Sequence, residues 1–286
     1  NNDTMGEKGE FYIHNFPARS ARADRIRELL SQKKKFSVED FCSMQLDLYD
    51  LRANDVLPDL IKILQESKDK EVRLAAKLLD EWDCSSSTES RGACLYYPFL
   101  DRFWQRKYMY KVLKDELINL LPLGAPGLNR FDISSFINPT TAWKEHEGLL
   151  KTTIQEEMKT VVDRVKLSLG NDYSKWRWGD LHKIQFQHSL NHYPAWENLK
   201  LGPDEIGGSP TTLGMAMHMG KGPGKTKESE VPCRVYHGPA YRLVVDLADP
   251  QSAKFVIAGG NGGRADRSFA TSTCSHYIYS HSHSIT

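Results

Sequence analysis

The chain has 286 residues, which suits one large domain or two modest ones, and its 40% hydrophobic and 26% charged residues are typical of a globular protein. With 38 Lys and Arg against 37 Asp and Glu, it lacks the strong positive field that a nucleic-acid scaffold needs. Even its longest apolar runs are short, such as Leu243-Val244-Val245, so the sequence predicts no membrane-spanning helix.

The predicted elements begin with helices. An apolar face around Ile26 predicts a helix over residues 19–30. Ser37, followed three residues later by Asp40, resembles a capping box that begins a second helix. The chain therefore opens with two short helical segments separated by a basic, polar stretch.

Helical patterning continues toward the middle of the chain. An apolar stripe over residues 56–64 predicts a helix with Pro58 in its first turn, where a missing N–H costs least. Residues 71–82 carry a further helical pattern, and the Ser-rich run 84–92 is a predicted loop.

The central part alternates between regular and irregular patterns. Residues 99–121 predict a long amphipathic helix rich in aromatic side chains, and residues 122–140 hold several Pro and Gly and predict irregular structure. Residues 147–167 are again helical, with an acid-base surface pattern. Residues 170–230 carry many Gly, Pro and His, and we expect loops and short strands there.

Strands are predicted near the C-terminal end. Residues 241–247 are rich in β-branched side chains and predict a strand, 249–252 a turn, and 254–258 a second strand of a hairpin-like pair. The glycine run 259–263 then interrupts regular structure. The predicted fold class is α+β, with a helical body followed by a strand-rich part and no internal repeat.

Cysteine usage does not settle the compartment. The count of five is odd, which excludes a fully paired disulfide framework. Cys84 and Cys94 are spaced so that they could bridge a loop, and this pairing stays open. The cysteines lie at positions 42, 84, 94, 233 and 274.

Both ends of the chain are unusual in sequence. It begins Asn1-Asn2-Asp3, without an initiator Met or a signal peptide, and it ends in low-complexity Ser, His and Tyr from Ser275 to Ser284. We interpret this tail as a disordered or non-native terminus rather than a metal-binding one. We expect the chain to be part of a larger protein.

Three histidines form the best candidate metal site. His188 and His192 are four residues apart and could ligate a metal from one helical face, with His182 close before them. However, Pro194 interrupts such a helix, and no Glu completes a His-Glu-x-x-His motif. A metal hydrolase that uses these histidines is kept as an alternative to structural or pocket-lining roles.

Two glycine-rich runs suggest a nucleotide site only superficially. The run Gly220 to Thr226 resembles a phosphate-binding loop, but Met219 stands where its first Gly is required, and Pro223 lacks the N–H that a phosphate would use. No helix pattern follows the run 259–263, so a tight turn is the favoured interpretation. A Gly-x-Ser-x-Gly nucleophile elbow is also missing from the sequence.

Five separated segments fall in the order of one family's motifs. They are residues 36–83, Trp178-Gly179 with His182, Gly207-Gly208-Ser209-Pro210-Thr211-Thr212, Tyr236 to Asp246, and Gly260-Asn261-Gly262-Gly263-Arg264. Together they resemble the penicillin acylase (penicillin amidase) family of N-terminal nucleophile hydrolases, over about residues 1–269. The order is specific, although no single motif would suffice.

The resemblance implies a fold and a division of the chain. The fold would be part of a four-layer αββα N-terminal nucleophile hydrolase sandwich with an appended helical region. Residues 1–18 would form an oxyanion-site strand and loop, 19–168 the helical region, 169–269 the strand-rich part of the sandwich, and 270–286 an atypical tail.

The resemblance also implies the chemistry. In the family an N-terminal Ser, exposed when the precursor cleaves itself, attacks an amide carbonyl, and its own α-amine, with an ordinary pKa of about 8, acts as the base. The tetrahedral intermediate then needs preorganised donors for its oxyanion. Asn1-Asn2 matches the segment that supplies one such donor, which we carry to Asn1 with Asn2 as the alternative. Ala23-Asp24-Arg25 matches the segment of the supporting arginine, which maps to Arg25. The plain interpretations are a frayed terminus and a helix-surface charge paired with Glu28.

The expected function is that of a fragment of an amidohydrolase. It would act on a small-molecule linear amide, of the N-acyl β-lactam or N-acyl homoserine lactone type, with the nucleophilic Ser upstream of Asn1 in the same precursor. The isolated chain is therefore expected to be inactive. No cofactor is expected for catalysis, ligands of the family's structural calcium are not assigned, and a periplasmic or extracellular location would follow the family.

Several departures from the family keep an alternative open. Ser209 replaces a family Asp, Asn261-Gly262 replaces Gln-Ser, and Arg267-Ser268-Phe269 stands in place of a Ser-Pro-His-Tyr-like continuation. A catalytically inactive interaction module that kept the scaffold is the alternative from a different class of protein.

Overall fold

The structure is a computed structural model that describes residues 21–100, 147–186, 193, 201–218, 233–258 and 283–284. Helices make up its N-terminal part and strands most of its C-terminal part, so the fold class is α+β, as predicted. The stacked-sheet sandwich and the four-part division of the chain stay predictions. The helix predicted over 99–121 lies outside the described residues from residue 101 onward, as does the glycine run 259–263.

Seven α-helices are present in the described ranges. They are α1 (Ala21–Ser31), α2 (Val38–Met44), α3 (Leu51–Gln65), α4 (Lys70–Asp80), α5 (Ala93–Leu100), α6 (Glu147–Leu169) and the single turn α7 (Trp178–Leu181). A 3₁₀ turn over Tyr173–Lys175 precedes α7. Within these ranges, no helix combines the length and the apolar character that crossing a membrane requires.

Local capping explains where several helices begin. The capping box before α2 is confirmed, because the Ser37 hydroxyl accepts from the Asp40 N–H and the Asp40 carboxylate accepts from the Ser37 N–H. The predicted position of Pro58 is wrong. Asp50 caps α3 by accepting from the N–H groups of Arg52 and Ala53, so the helix starts before the apolar stripe and Pro58 lies inside it.

Helix α5 covers a stretch, from Ala93, for which the sequence pattern predicts no helix. The Ser90 hydroxyl accepts from the Ala93 N–H and the helix runs from there to Leu100, so it includes the first two residues of the helix predicted over 99–121. Every residue from Ala93 to Phe99 is buried, so this segment has no polar face and no helical period to read.

The strands form two small sheets. In the first, the order is β2-β1-β4-β3, and β1 runs parallel to β4 with His182 beside Cys233. In the second, the order is β5-β6-β7, with antiparallel pairing throughout. The strands are β1 (His182–Phe186), β2 (Leu201–Glu205), β3 (Met217–His218), β4 (Cys233–His237), β5 (Tyr241–Asp246), β6 (Asp249–Ile257) and β7 (His283–Ser284).

The predicted hairpin between β5 and β6 is present, but its turn is shorter than expected. Residues 249–252 belong to β6 rather than to a turn. The chain reverses at 247–248, where the Asp246 carboxylate accepts from the Ala248 N–H at 2.9 Å. Helix α2 lies beside this hairpin, since Gln45 donates to the Leu243 carbonyl and Lys254 pairs with Glu39.

Two hydrophobic cores hold the described parts together. The larger core joins α3, α4, α5, α6 and the tryptophans Trp176 and Trp178. The smaller core lies between the sheets and consists of Ile184, Ile206, Ala216, Val235 and Val256.

The described cysteines are free thiols. Cys84 and Cys94, the one pair that could bridge a loop, are both buried and unlinked. Burial raises the pKa of Cys84 to about 12 and that of Cys94 further still. Cys233 is also buried, whereas Cys42 is partly exposed.

Candidate functional site

Arg25 projects from α1 and is held by a carboxylate that follows α2. Its Nε donates to Asp47 Oδ1 at 3.1 Å and its Nη2 to Asp47 Oδ2 at 2.8 Å, so the pair is bidentate. The two side chains are only 14% and 16% exposed. This burial distinguishes Arg25 from an ordinary helix-surface charge.

Two further groups surround the same guanidinium. Glu28, one turn further along α1, lies 3.0 Å from Arg25 Nη1 and is half exposed. The face of the Tyr49 ring is 4.6 Å from Arg25 Cζ, within cation–π range. The Asp47 hydrogen bonds raise the pKa of Arg25 above its ordinary value, and burial raises that of the Tyr49 phenol. The guanidinium is therefore permanently charged and restrained at its edges and on one face.

A second buried carboxylate lies three residues from Asp47. Asp50 Oδ1 caps α3, while Oδ2 accepts from the Tyr97 hydroxyl at 2.9 Å, from Thr211 Oγ1 at 2.5 Å and from Ser209 Oγ at 3.4 Å. Asp50 has no exposed surface. Burial raises the pKa of Tyr97 well above its ordinary value, so its hydroxyl stays protonated and donates. Asp50 thus ties the Gly-Gly-Ser-Pro-Thr-Thr segment to the helical body.

Three of the five motif segments meet along one seam, which we define as residues 46–50, 178–182 and 206–216. The Gly214 N–H donates to the Asp47 carbonyl at 2.8 Å. Trp178 Nε1 donates to the Gly208 carbonyl at 3.3 Å. The motif seam therefore joins three stretches that are far apart in sequence.

Close backbone approach explains two motif glycines. Gly208 has a φ of +96°, and a Cβ there would lie 2.1 Å from the Gly214 carbonyl oxygen. Gly179 donates its N–H to the Thr88 carbonyl, and a Cβ there would meet Glu205 Oε2 at 2.6 Å. No larger residue fits either position without moving its neighbours.

His182, the last residue of the Trp-Gly-x-x-His motif, is a structural histidine here. It is fully buried, its ring stacks on Trp178 at 4.5 Å, and its Nδ1 and Nε2 lie 2.7 and 3.2 Å from the carbonyl oxygens of Ile206 and Ala216. Burial and the nearby His218 ring lower the pKa of His182 to about 3. The ring is therefore neutral at neutral pH, and the shorter contact assigns its single N–H to Nδ1.

This geometry weighs against the metal-hydrolase alternative. Neither ring nitrogen of His182 points toward an open site, and His188 and His192 lie outside the described residues. Across the described ranges, no group of three or more His, Cys, Asp or Glu side chains is placed to hold a metal ion.

The sequence singled out part of this arrangement. Arg25 is placed as described above, whereas Asn1 and Asn2 lie outside the described residues. The sequence suggests the pairing of Arg25 with Glu28, which the structure contains at 3.0 Å. It does not single out Asp47 or Tyr49 as partners of Arg25, nor the role of Asp50. Asp47 ends Gln45-Leu46-Asp47 within the segment 36–83 of the resemblance, and that resemblance is the only signal for it. Nothing local marks Asp50, because its partners Tyr97 and Thr211 are 47 and 161 residues away.

The protein is α+β. Its motif seam holds the loop that follows Gly207-Gly208 against Asp47, and Asp47 in turn binds the Arg25 guanidinium. A family model described as Penicillin amidase matches residues 1–282. The chain belongs to the penicillin amidase family, whose members are hydrolases of the carbon–nitrogen bonds of amides.

Proposed function

We propose that this chain is the C-terminal portion of the nucleophile-bearing chain of an amidohydrolase for linear amides. The substrates would be of the N-acyl β-lactam or N-acyl homoserine lactone type. The attacking group would be an N-terminal Ser upstream of Asn1, freed by self-cleavage of the precursor. The Asn1 carboxamide, with Asn2 as the alternative, would donate to the oxyanion, and Arg25 would support that site.

One observation carries the proposal. Three of the segments that resemble the family's motifs are far apart in sequence, yet they contact one another along the motif seam, beside the largely buried Arg25 that Asp47 holds in a bidentate pair. A restrained, charged donor next to a rigid backbone is the kind of preorganisation that oxyanion chemistry requires. The family match over residues 1–282 supports the same reaction class.

The test compares residues 1–286 with the longer protein that includes the segment before Asn1. We expect the longer protein to release the chromophore of a phenylacetyl amide and the isolated chain to be inactive. Replacing Asn1 with Ala in the longer protein should lower kcat about 10²- to 10³-fold if Asn1 is the oxyanion donor, since removal of one such donor has that effect elsewhere. Asn2→Ala is the matched comparison and should have the smaller effect.

A second candidate function is an inactive interaction module, which the departures at Ser209 and Asn261-Gly262 favour. Upstream coding sequence with a Gly-Ser, Gly-Cys or Gly-Thr junction supports the hydrolase, and its absence supports the module. Turnover by residues 1–286 alone would contradict an upstream nucleophile.

A further inference from the structure

We infer that Asp47 is a positioning residue for the amidase reaction, acting through Arg25; this inference rests on the proposed function. Asp47 does not need to touch substrate for this role. It fixes the direction in which the Arg25 guanidinium presents its remaining N–H donors.

The contacts define the orientation of the guanidinium almost completely. The bidentate pair with Asp47 sets the plane and the in-plane rotation, because two parallel N–H···O bonds allow only one alignment. The Tyr49 ring covers one face of that plane at 4.6 Å. Glu28 contacts Nη1 but is half exposed, so it restrains the group far less than Asp47 does.

The backbone holds Asp47 itself in place. Its carbonyl accepts from the Gly214 N–H at 2.8 Å, and its side chain is largely buried. Nearby, Arg22 Nη1 lies 3.2 Å from Met215 Sδ, which brings α1 into contact with the same loop. The position of the carboxylate is therefore set by the motif seam and not by side-chain rotamers alone.

The charges decide what Arg25 does. One guanidinium facing two carboxylates, Asp47 and Glu28, gives a cluster with a net charge of −1. Such a cluster is a poor source of positive potential for an oxyanion. Three of the five guanidinium N–H groups are used in these contacts, which leaves one on Nη1 and one on Nη2. Arg25 therefore contributes directed hydrogen bonds, and their direction depends on Asp47.

Loss of the clamp should affect the chemical step more than substrate binding. In Asp47→Asn the side chain keeps its size, but its amide nitrogen cannot accept from the guanidinium, so the group is free to turn toward Glu28. Small misplacements of catalytic donors commonly lower rates by about 10²-fold. We expect Asp47→Asn to lower kcat about tenfold to a hundredfold in the full-length protein, with KM changed less than about twofold.

The experiment is a double-mutant cycle on the full-length protein. Asp47→Asn, Arg25→Ala and the double variant are compared in kcat and KM. We expect Asp47→Asn to have no further effect once Arg25 is Ala, because it acts through that side chain. The matched control is Arg27→Gln, which removes the exposed cation of the 2.8 Å pair with Asp24 on the same helix and should leave kcat unchanged.

Two readouts separate failure of this inference from failure of the proposed function. An equal loss of kcat from Asp47→Asn in both backgrounds, or a change in KM alone, would overturn the positioning role. The second readout is the Arg25 Nε–H resonance in ¹H–¹⁵N NMR spectra, which should shift in Asp47→Asn and not in the control Arg27→Gln. If the wild-type protein shows the Arg25 Nε–H resonance of the Asp47 pair but does not hydrolyse amides, the proposed function is contradicted instead.

Discussion

At the scale of single residues, Asp50 supplies the carboxylate where the segment around Ser209 meets the helical body. Ser209, at the position where the sequence resemblance leads us to expect an Asp, instead donates to that carboxylate at 3.4 Å. Both residues are fully buried. Two carboxylates at this place would repel each other without solvent to screen them, so the site holds one.

An exchange of the two residues tests this interpretation. Asp50→Ser alone should lower the free energy of unfolding by about 2 kcal/mol or more, because the hydroxyls of Tyr97 and Thr211 lose their buried acceptor. Ser209→Asp alone should also destabilise the protein, since it adds a second buried carboxylate. The double variant should be more stable than the sum of the two losses predicts.

Urea unfolding measures these free energies. Asp69→Ser is the control, because Asp69 caps α4 as Asp50 caps α3, with only local backbone contacts. Ser is an equally good N-cap, so this change should be nearly neutral. Strict additivity of the Asp50 and Ser209 changes would show that the two positions do not share one carboxylate.

At the scale of elements, α5 contributes two rings to a tightly packed aromatic cluster. Trp82, Tyr96 and Tyr97 make tilted and edge-on contacts with ring centroids 5.3 to 6.0 Å apart. Gly92, just before α5, is buried against this cluster, and a Cβ there would lie 2.4 Å from Trp82 Cγ. The tight contact between Gly92 and Trp82 fixes how the start of α5 meets the end of α4.

Two glycine-to-alanine substitutions should therefore have opposite effects on the stability of the protein. Gly92→Ala forces Trp82 to move and should destabilise the protein by about 1–3 kcal/mol, the usual cost of overpacking a core. Gly148→Ala lies in α6 with open space around the new methyl group, and should stabilise by up to about 1 kcal/mol through helix propensity. Thermal unfolding of both variants measures this, and a Gly92→Ala protein as stable as the wild type would contradict the packing argument.

The elements also show which features of the sequence could be read in advance. Helices α1, α4 and α6 were predicted because each has one polar and one apolar face, whose period is local information. The sequence pattern misplaces the start of α3, because it puts Pro58 in the first turn of the helix. The cap at Asp50 determines where α3 begins. The start of α5 was missed because a helix that is buried all round shows no period.

The candidate site was predictable only in part for a related reason. Arg25 can be assigned because the short segment that resembles the family motif is visible in a single sequence. Its clamp could not be predicted, because Asp47 lies 22 residues away and becomes its partner only when α1 packs beside the end of α2. Side-chain partnerships across the motif seam depend on tertiary packing, and hydrophobic patterning does not encode it.

At the scale of the whole molecule, His182 joins the two cores. Its ring stacks on Trp178, a member of the helical core, and its Nδ1 contacts the carbonyl of Ile206, a member of the sheet core. His218 packs edge-on against the same ring at 5.2 Å. A charge on His182 would therefore sit at the junction of both cores.

A fall in pH should weaken this junction already at pH values above those at which carboxylates titrate. The pKa of His182 is about 3 when folded and about 6.5 when unfolded, so the unfolded state binds the extra proton. The stability is fully present above pH 6.5 and is lost as the pH falls toward 3. Between pH 7 and pH 5 the loss from this residue should be about 2 kcal/mol.

The variant His182→Gln isolates the effect. It removes the titrating group but keeps a donor for the Ile206 carbonyl. Between pH 7 and pH 5, the unfolding free energy of the variant should therefore fall by about 2 kcal/mol less than that of the wild type, whatever its value at pH 7. Urea unfolding at pH 7 and pH 5 gives the two slopes. Parallel profiles for the wild type and the variant would show that His182 is not the group responsible.

The reactivity of the cysteine thiols can report where the interior opens. Cys84, Cys94 and Cys233 are enclosed in the packed interior, whereas Cys42 reaches the surface. An alkylating reagent such as iodoacetamide should mark Cys42 at once and the other three only when their surroundings open. Peptide mass spectrometry after brief exposure to the reagent would measure the alkylation of each thiol separately. Different rates for the three buried thiols would indicate local opening, and equal rates would indicate cooperative unfolding.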